Sequence, residues 1–246
     1  MIAAERLLAA TDATWPAARY LREGPWLLRE GLGGGQRVSA ATVATTAGAD
    51  AVTAAEIDTA CAAMQAMSQP RLFQIRAGDQ ALDDLLAARG FAVVDPVTLY
   101  AGSVADLAQT PPPRVTAFCV WEPLAIQIEI WESAGITAAR RAVMDRAEGP
   151  KTALLGRLND HPGGAGFAAL DRDIAMVHAL EVLPHQRGQG MAGHLMRQAA
   201  IWARDAGAQH LAVAVTQANT AGNALYASLG MVVVGQYHYR KHKEDT

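Results

Sequence analysis

Residues 184–196 read Pro-His-Gln-Arg-Gly-Gln-Gly-Met-Ala-Gly-His-Leu-Met and join an apolar run to a long helical pattern. Three glycines and an arginine stand where a helix would simply begin. From residue 190 onward Ala192, Leu195, Met196, Ala199, Trp202, Ala203 and Ala206 recur at helical spacing, and Gly207 supplies the stop. A helix start presents free amide donors and the positive end of the backbone dipole, and Gly188, Gly190 and Gly193 carry no side chain to keep an anion at a distance. Arg187 adds a fixed charge that can pair with phosphate oxygens. The stretch is expected to wrap a diphosphate.

Two nucleotide-binding fingerprints compete for it. Gly188 to Gly193 satisfies GxGxxG by letter, but a dinucleotide fold needs that motif directly after a strand and an acidic residue closing the next one. Here Pro184-His185-Gln186-Arg187 intervenes, and no acid closes the apolar run at residues 211–215. A kinase-type loop would need Gly-Lys-Ser or Gly-Lys-Thr, and the sequence has neither.

Working outward, residues 115–121 read as a strand, and residues 124–133 and 137–147 as helices. Apolar runs at 152–158 and 164–170 flank the turn-rich Asn159-Asp160-His161-Pro162-Gly163, which predicts an antiparallel hairpin. Residues 174–183 continue the sheet. Residues 211–215 form a short buried strand, Asn219 caps a helix that Gly230 ends, and residues 231–239 are a last strand. Pro111-Pro112-Pro113 breaks the chain, because three prolines supply no amide donors.

The part before that break ends as the chain does. Leu-Leu-Ala-Ala-Arg-Gly-Phe-Ala-Val-Val from residue 85 aligns with Leu-Tyr-Ala-Ser-Leu-Gly-Met-Val-Val-Val from residue 225, so that Gly90 falls on Gly230 at an offset of 140 residues. In that register Asp79 matches Asn219 and Leu86 matches Tyr226. Two related halves are expected, residues 1–112 and 113–246.

At residues 187–192 the chain resembles the GNAT (GCN5-related N-acetyltransferase) superfamily, whose signature is R/Q-x-x-G-x-G/A. Arg187-Gly188-Gln189-Gly190-Met191-Ala192 matches it. Residues 219–231 are similar to the family's N-x4-A-L-Y-x-x-L-G-F, with Met231 in place of Phe. Residues 1–110 resemble more weakly the degenerate N-terminal copy of tandem members. The resemblance implies an α/β (α+β) fold, a mixed and mostly antiparallel sheet flanked by helices, in two tandem GNAT-like halves. Only the second half, with its arginine and glycines, is expected to bind cofactor.

The implied activity is transfer of an acetyl group from acetyl-CoA to an amine, by direct attack. The resemblance places the diphosphate on Arg187, Gly188, Gln189, Gly190, Met191, Ala192 and Gly193. The pantetheine arm would add to the backbone of Glu181, Val182 and Leu183, with Asn219 and Asn223 alongside. Tyr226 is the expected proton donor to the departing thiolate, although an aromatic residue packing a helix on a sheet would look the same. The general base stays open. Many family members carry a Glu where this chain has Met176; His178, two residues on, shares that face of an unbulged strand, whereas alternation points Glu181 to the other face. A water chain is the third alternative. Tyr237, His238 and Tyr239 are candidates for lining either the acceptor pocket or only the sheet, Arg37 is a candidate for reaching an acidic acceptor, and residues 240–245 read as a solvated end.

The composition is compatible. With 51% hydrophobic and 18% charged residues and a net charge of -3, the chain reads as globular, without the basic block that grips nucleic acid. Glu5 and Arg6 interrupt any leader-like start, and no apolar run approaches the ~20 residues of a membrane span. A cytoplasmic protein is expected. Cys61 and Cys119 stand apart and read as free thiols, with no metal site. A small-molecule amine is the expected acceptor; a protein N-terminus or lysine, or a non-catalytic acyl-CoA sensor, are the alternatives. The oligomeric state is open, a homodimer included.

Overall fold

The computed structural model describes residues 2–44 and 52–245. In chain order these form α1 (Ala4–Thr14), β1 (Arg19–Glu23), β2 (Trp26–Glu30), β3 (Thr42–Val43), α2 (Ala54–Ala66), β4 (Leu72–Ile75), α3 (Gln80–Ala88), β5 (Phe91–Ser103), α4 (Val104–Leu107) and β6 (Ala117–Val120). They continue with α5 (Ala125–Ser133), α6 (Ala138–Arg146), β7 (Lys151–Leu158), β8 (His161–Asp171), β9 (Ile174–Val182), α7 (Met191–Asp205), β10 (His210–Thr216), α8 (Thr220–Ser228) and β11 (Val232–His242). Among them no helix is long and apolar enough to cross a membrane.

The chain divides into two compact units. One comprises Met1–Pro16, Leu99–Val215 and Asn219–Val234; the other comprises Ala17–Thr98, Thr216–Ala218 and Gly235–Thr246. These lines depart from the division expected at residues 112 and 113. The first helix, α1, buries Leu7, Leu8 and Ala10 within the unit that holds most of the C-terminal part. The end of β11 instead pairs with β4, Tyr239 opposite Gln74.

In the first unit the strand order is β10-β9-β8-β7-β6, with β10 parallel to β9 and the rest antiparallel. The sheet is therefore mixed and mostly antiparallel, as expected. One face carries α7, whose Leu195, Met196, Ala199 and Ala203 interleave with Leu154, Ala175, Val177 and Val213. Gly164 brings α7 close: a Cβ there would stand 2.7 Å from Met191 Sδ. The opposite face carries α1 and α5, with Trp15 edge-on to Phe167 and Trp131 Nε1 donating to the carbonyl of Ala179 at 2.9 Å.

That carbonyl marks an irregularity that decides the site. Phe167 lies opposite His178 and Ala165 opposite Glu181, so β9 carries one residue more than β8 between these pairs. The bulge falls at Ala179, a non-glycine residue with φ 50°. Side-chain alternation shifts by one beyond it, and Glu181 joins His178 on the same face. The opposite placement expected from plain alternation is thereby corrected.

The second unit has its own antiparallel strands β1-β2-β3, and Ala41 bridges Phe73 in parallel. Its core gathers Trp26, Leu28, Ile57, Met64, Phe73, Leu82, Leu86 and Phe91. Asp79 stands at the start of α3 but does not cap it; its Oδ2 accepts from Arg76 N at 2.9 Å. The residues expected as a solvated tail are also bound: Arg240 grips Asp83 at 2.7 and 3.0 Å, and Asp245 Oδ2 accepts from Arg71 Nε at 2.9 Å.

Candidate functional site

A cleft of about 680 Å³ opens in the first unit between the end of β9, the start of α7 and one face of α8. Three features of the sequence create it. The first is the parting of two strands. Pairing of β9 with β10 runs from Ile174 opposite His210 to Val177 opposite Val213, while the strands themselves continue to Val182 and Thr216. Just past Val177 comes the bulge at Ala179.

The second is the orientation of the backbone along the unpaired edge. Leu183 N donates to Gly163 O at 2.8 Å, and Glu181 is paired with Ala165, so both direct their backbone groups to β8. Val182 lies between them, opposite Gly164, and by ladder alternation turns its N–H and C=O away from β8, toward the opening. Of the three residues expected to present backbone there, Val182 does so, and Leu183 spends its amide on β8. The Val182 carbonyl accepts from Arg187 Nε at 2.9 Å.

The third is the glycine stretch. Gly188 has φ 73° and Gly190 φ 84°, left-handed conformations in which side-chain-bearing residues are strained, and Gly190 is the residue before α7. No side chain caps that helix, and its first described backbone bond is His194 N to Gly190 O at 3.1 Å. The amides of Met191, Ala192 and Gly193 are left facing outward, at the positive end of a helix that runs to Asp205. Gln186, buried beside them, leaves its Oε1 without a partner among the described residues.

Beside Arg187, two groups able to exchange a proton face this cleft. Tyr226 is 7% exposed, and burial, reinforced by the negative charge of Glu181, pushes its phenol up to about 12. Burial likewise lifts the Glu181 carboxyl above its usual range, against the pull of the Arg187 and Arg140 guanidinium groups. Tyr226 is steadied by Tyr100, ring centroids 5.8 Å apart. The site thus brings together Glu181, Val182, Arg187, Gly188, Gly190, Met191, Ala192, Gly193, Asn219 and Tyr226 from the expected set.

The remaining expected residues lie elsewhere. His178 is buried between Trp15 and Phe167, centroids 5.0 and 6.2 Å away, and does not line the cleft. Its Nε2 lies 2.9 Å from Thr14 Oγ1; since that hydroxyl donates to Ala10 O at 2.6 Å, the imidazole is the donor. Asn223 accepts from Tyr100 Oη at 3.2 Å and donates to Asn219 O at 2.7 Å, also outside the lining. Asn219 Oδ1 caps α8 through Gly222 N at 2.9 Å. Leu183 and Gln189 border a separate cavity of about 460 Å³. In the second unit Arg37 hydrogen-bonds the hydroxyls of Tyr237 and Tyr239. Sequence reasoning missed Gln186 and Tyr100; no local pattern points to either. Among the described residues no cluster of three His, Cys, Asp or Glu side chains could hold a metal.

Residues 121–231 match the family model described as Acetyltransferase (GNAT) family. A Bacillus subtilis (strain 168) protein named "Uncharacterized N-acetyltransferase YobR" is 26% identical over 246 residues, 96% of this chain and 96% of that protein. A streptothricin acetyltransferase of Streptomyces lavendulae is 37% identical over 75 residues, 29% of this chain and 40% of that protein. Among solved structures, a GCN5-related N-acetyltransferase from Kribbella flavida matches at TM-score 0.70 and 18% identity, over 98% of this chain and 95% of that chain, a likeness of fold.

Proposed function

Since residues 121–231 form an acetyltransferase domain of the GNAT family, we propose that this chain transfers an acetyl group from acetyl-CoA to the amine of a small-molecule or amino-acid-like acceptor, by direct attack. One observation carries the reading: a proton acceptor, Glu181, and a proton donor, Tyr226, face the same cleft as the open edge of Val182 and the uncapped start of α7.

The residues suit the donor. The amides of Met191 to Gly193 and the Arg187 guanidinium would hold the diphosphate, and the Val182 backbone would take the pantetheine amides as a strand edge takes a peptide. The unpartnered Gln186 Oε1 offers one more acceptor. When bound, acetyl-CoA supplies the thioester electrophile and a thiolate leaving group.

Glu181 stands where the bulge has turned it into the cleft, and its lifted pKa makes the carboxylate a better base for an acceptor ammonium. Tyr226 Oη keeps its proton at neutral pH and holds it for the thiolate. His178, with its Nε2 proton committed to Thr14, is read as a packing residue of α1 on β9. The kinship with streptothricin acetyltransferase favours a small-molecule amine over a protein acceptor.

We take residues 1–112 as a degenerate second copy whose terminal pieces have been exchanged. The parallel bridge of Ala41 to Phe73 repeats the parallel pairing of β9 and β10, and Leu86 occupies the place of Tyr226. Its helix α2 closes its own start: Glu56 Oε2 accepts from Thr53 N at 2.7 Å and Thr53 Oγ1 from Glu56 N at 3.3 Å. A carboxylate there leaves nothing for a phosphate. A panel of amines and amino acids incubated with acetyl-CoA, with thiol release and calorimetric uptake followed in parallel, tests the reading. Turnover of one amine class supports it; uptake without turnover assigns a sensor; neither overturns it.

A further inference from the structure

The site sets Arg187 and the pantetheine edge in competition. The carbonyl that the open edge of β9 presents to the cleft at Val182 is already held by Arg187 Nε, at 2.9 Å. Arg187 lines the same cleft as the uncapped start of α7, next to the glycines that bend the loop with φ 73° and 84°. An incoming amide that needs Val182 O must share it with Arg187 or displace it. A hydrogen bond from a charged donor is stronger than one between neutral groups when sheltered and weaker at an exposed side chain such as this one. A diphosphate compensates the loss, because it gives the guanidinium a doubly charged partner in the same cleft. A donor that ends before the phosphates does not.

On the reading above, we infer that Arg187 is a donor-selecting residue: it occupies the acyl-donor edge at Val182 until a diphosphate draws it off, and so disfavours thioesters of bare pantetheine relative to those of coenzyme A. Selection arises from one side chain for which a carbonyl and a phosphate compete. A purely attractive phosphate contact would weaken binding of CoA when lost and leave shorter donors untouched. A placeholder moves the two affinities in opposite directions.

The test measures equilibrium binding of acetyl-CoA and of S-acetylpantetheine, by calorimetry and by ligand-observed NMR, to the full chain and to Arg187→Ala and Arg187→Gln. Thermal melts within about two degrees of the parent establish that both variants fold, as expected for an exposed side chain. For Arg187→Ala the dissociation constant of acetyl-CoA is expected to rise about tenfold, while that of S-acetylpantetheine falls about threefold to tenfold. Arg187→Gln, which keeps a neutral donor for Val182 O, is expected to weaken acetyl-CoA binding with a smaller gain for the short donor. Weaker or unchanged binding of S-acetylpantetheine to Arg187→Ala, with acetyl-CoA still bound by the parent, overturns the placeholder and leaves the acetyltransferase reading standing. Failure of the parent to bind acetyl-CoA overturns both.

Discussion

Replacing Tyr226 with Phe removes one oxygen from a ring that is almost wholly enclosed and in tilted contact with Tyr100, so the core keeps its shape. Its phenol stands at about 12, whereas a free thiol lies near 8.5. At 1.36 kcal/mol per pH unit, complete transfer to a free thiolate would be uphill by about 5 kcal/mol. The proton can therefore move only as the carbon–sulfur bond breaks inside the cleft, which puts the contribution at the low end of general acids, about 10²-fold or ~2.7 kcal/mol. We expect Tyr226→Phe to lower kcat about 100-fold in a thiol-release assay, with CoA affinity unchanged within twofold. A phenol at about 12 stays protonated to pH 10, so the pH–rate profile should keep its shape and lose only height. Stability supplies a second readout. A raised folded pKa gives stability that is fully present below the unfolded value near 10 and is lost as pH rises toward 12, here about 2–3 kcal/mol. The parent should lose it between pH 10 and 12 in urea melts, and Tyr226→Phe should not. A kcat within threefold of the parent, or a basic limb near pH 9 that vanishes with the hydroxyl, would refute the assignment.

Three further outcomes follow from the same geometry. Glu181→Gln should cut kcat by roughly 10²- to 10³-fold. Because burial raises the folded pKa of Glu181, its stabilising proton is lost as pH rises, so the same variant should melt higher than the parent at pH 8 and converge with it near pH 4. Gly190→Val places a β-branched residue at φ 84°; it should cost about 1–3 kcal/mol in chemical denaturation and weaken CoA at least tenfold, and unchanged CoA affinity would argue against the loop as the diphosphate site. Asp245, drawn down to about 2 by its hydrogen bonds from Arg71, contributes stability above pH 4 that fades as pH falls toward 2. Asp245→Asn should therefore cost about 1–2 kcal/mol at pH 7 and almost nothing at pH 2.

Much of the cleft was legible because its parts are local. Uncapped amides behind Gly190, the Asn219 cap on Gly222 and the hairpin at Asn159-Asp160 each depend on a handful of adjacent residues whose backbone preferences act wherever the chain goes. Periodicity likewise announced α7, since an apolar stripe must find a sheet to cover. The repeat pointed to a second strand, helix and strand, though Asp79 turned back on Arg76 and the way the two units divide the chain left no mark in the letters.

What the chain by itself determined is therefore the uncapped helix start behind its glycines and the arginine beside it, because free amides and glycine torsions are properties of a dozen consecutive residues. Only the folded molecule decided that Glu181, and not His178, looks into the cleft. A single extra residue at Ala179 inverts the alternation of everything after it, and whether a strand bulges depends on the register of β8 and on Trp131 reaching the carbonyl thereby freed. The same holds for Val182, whose open edge exists because β10 parts from β9 after Val213. Helix starts are written in neighbouring residues; strand edges are set by partners distant in the chain.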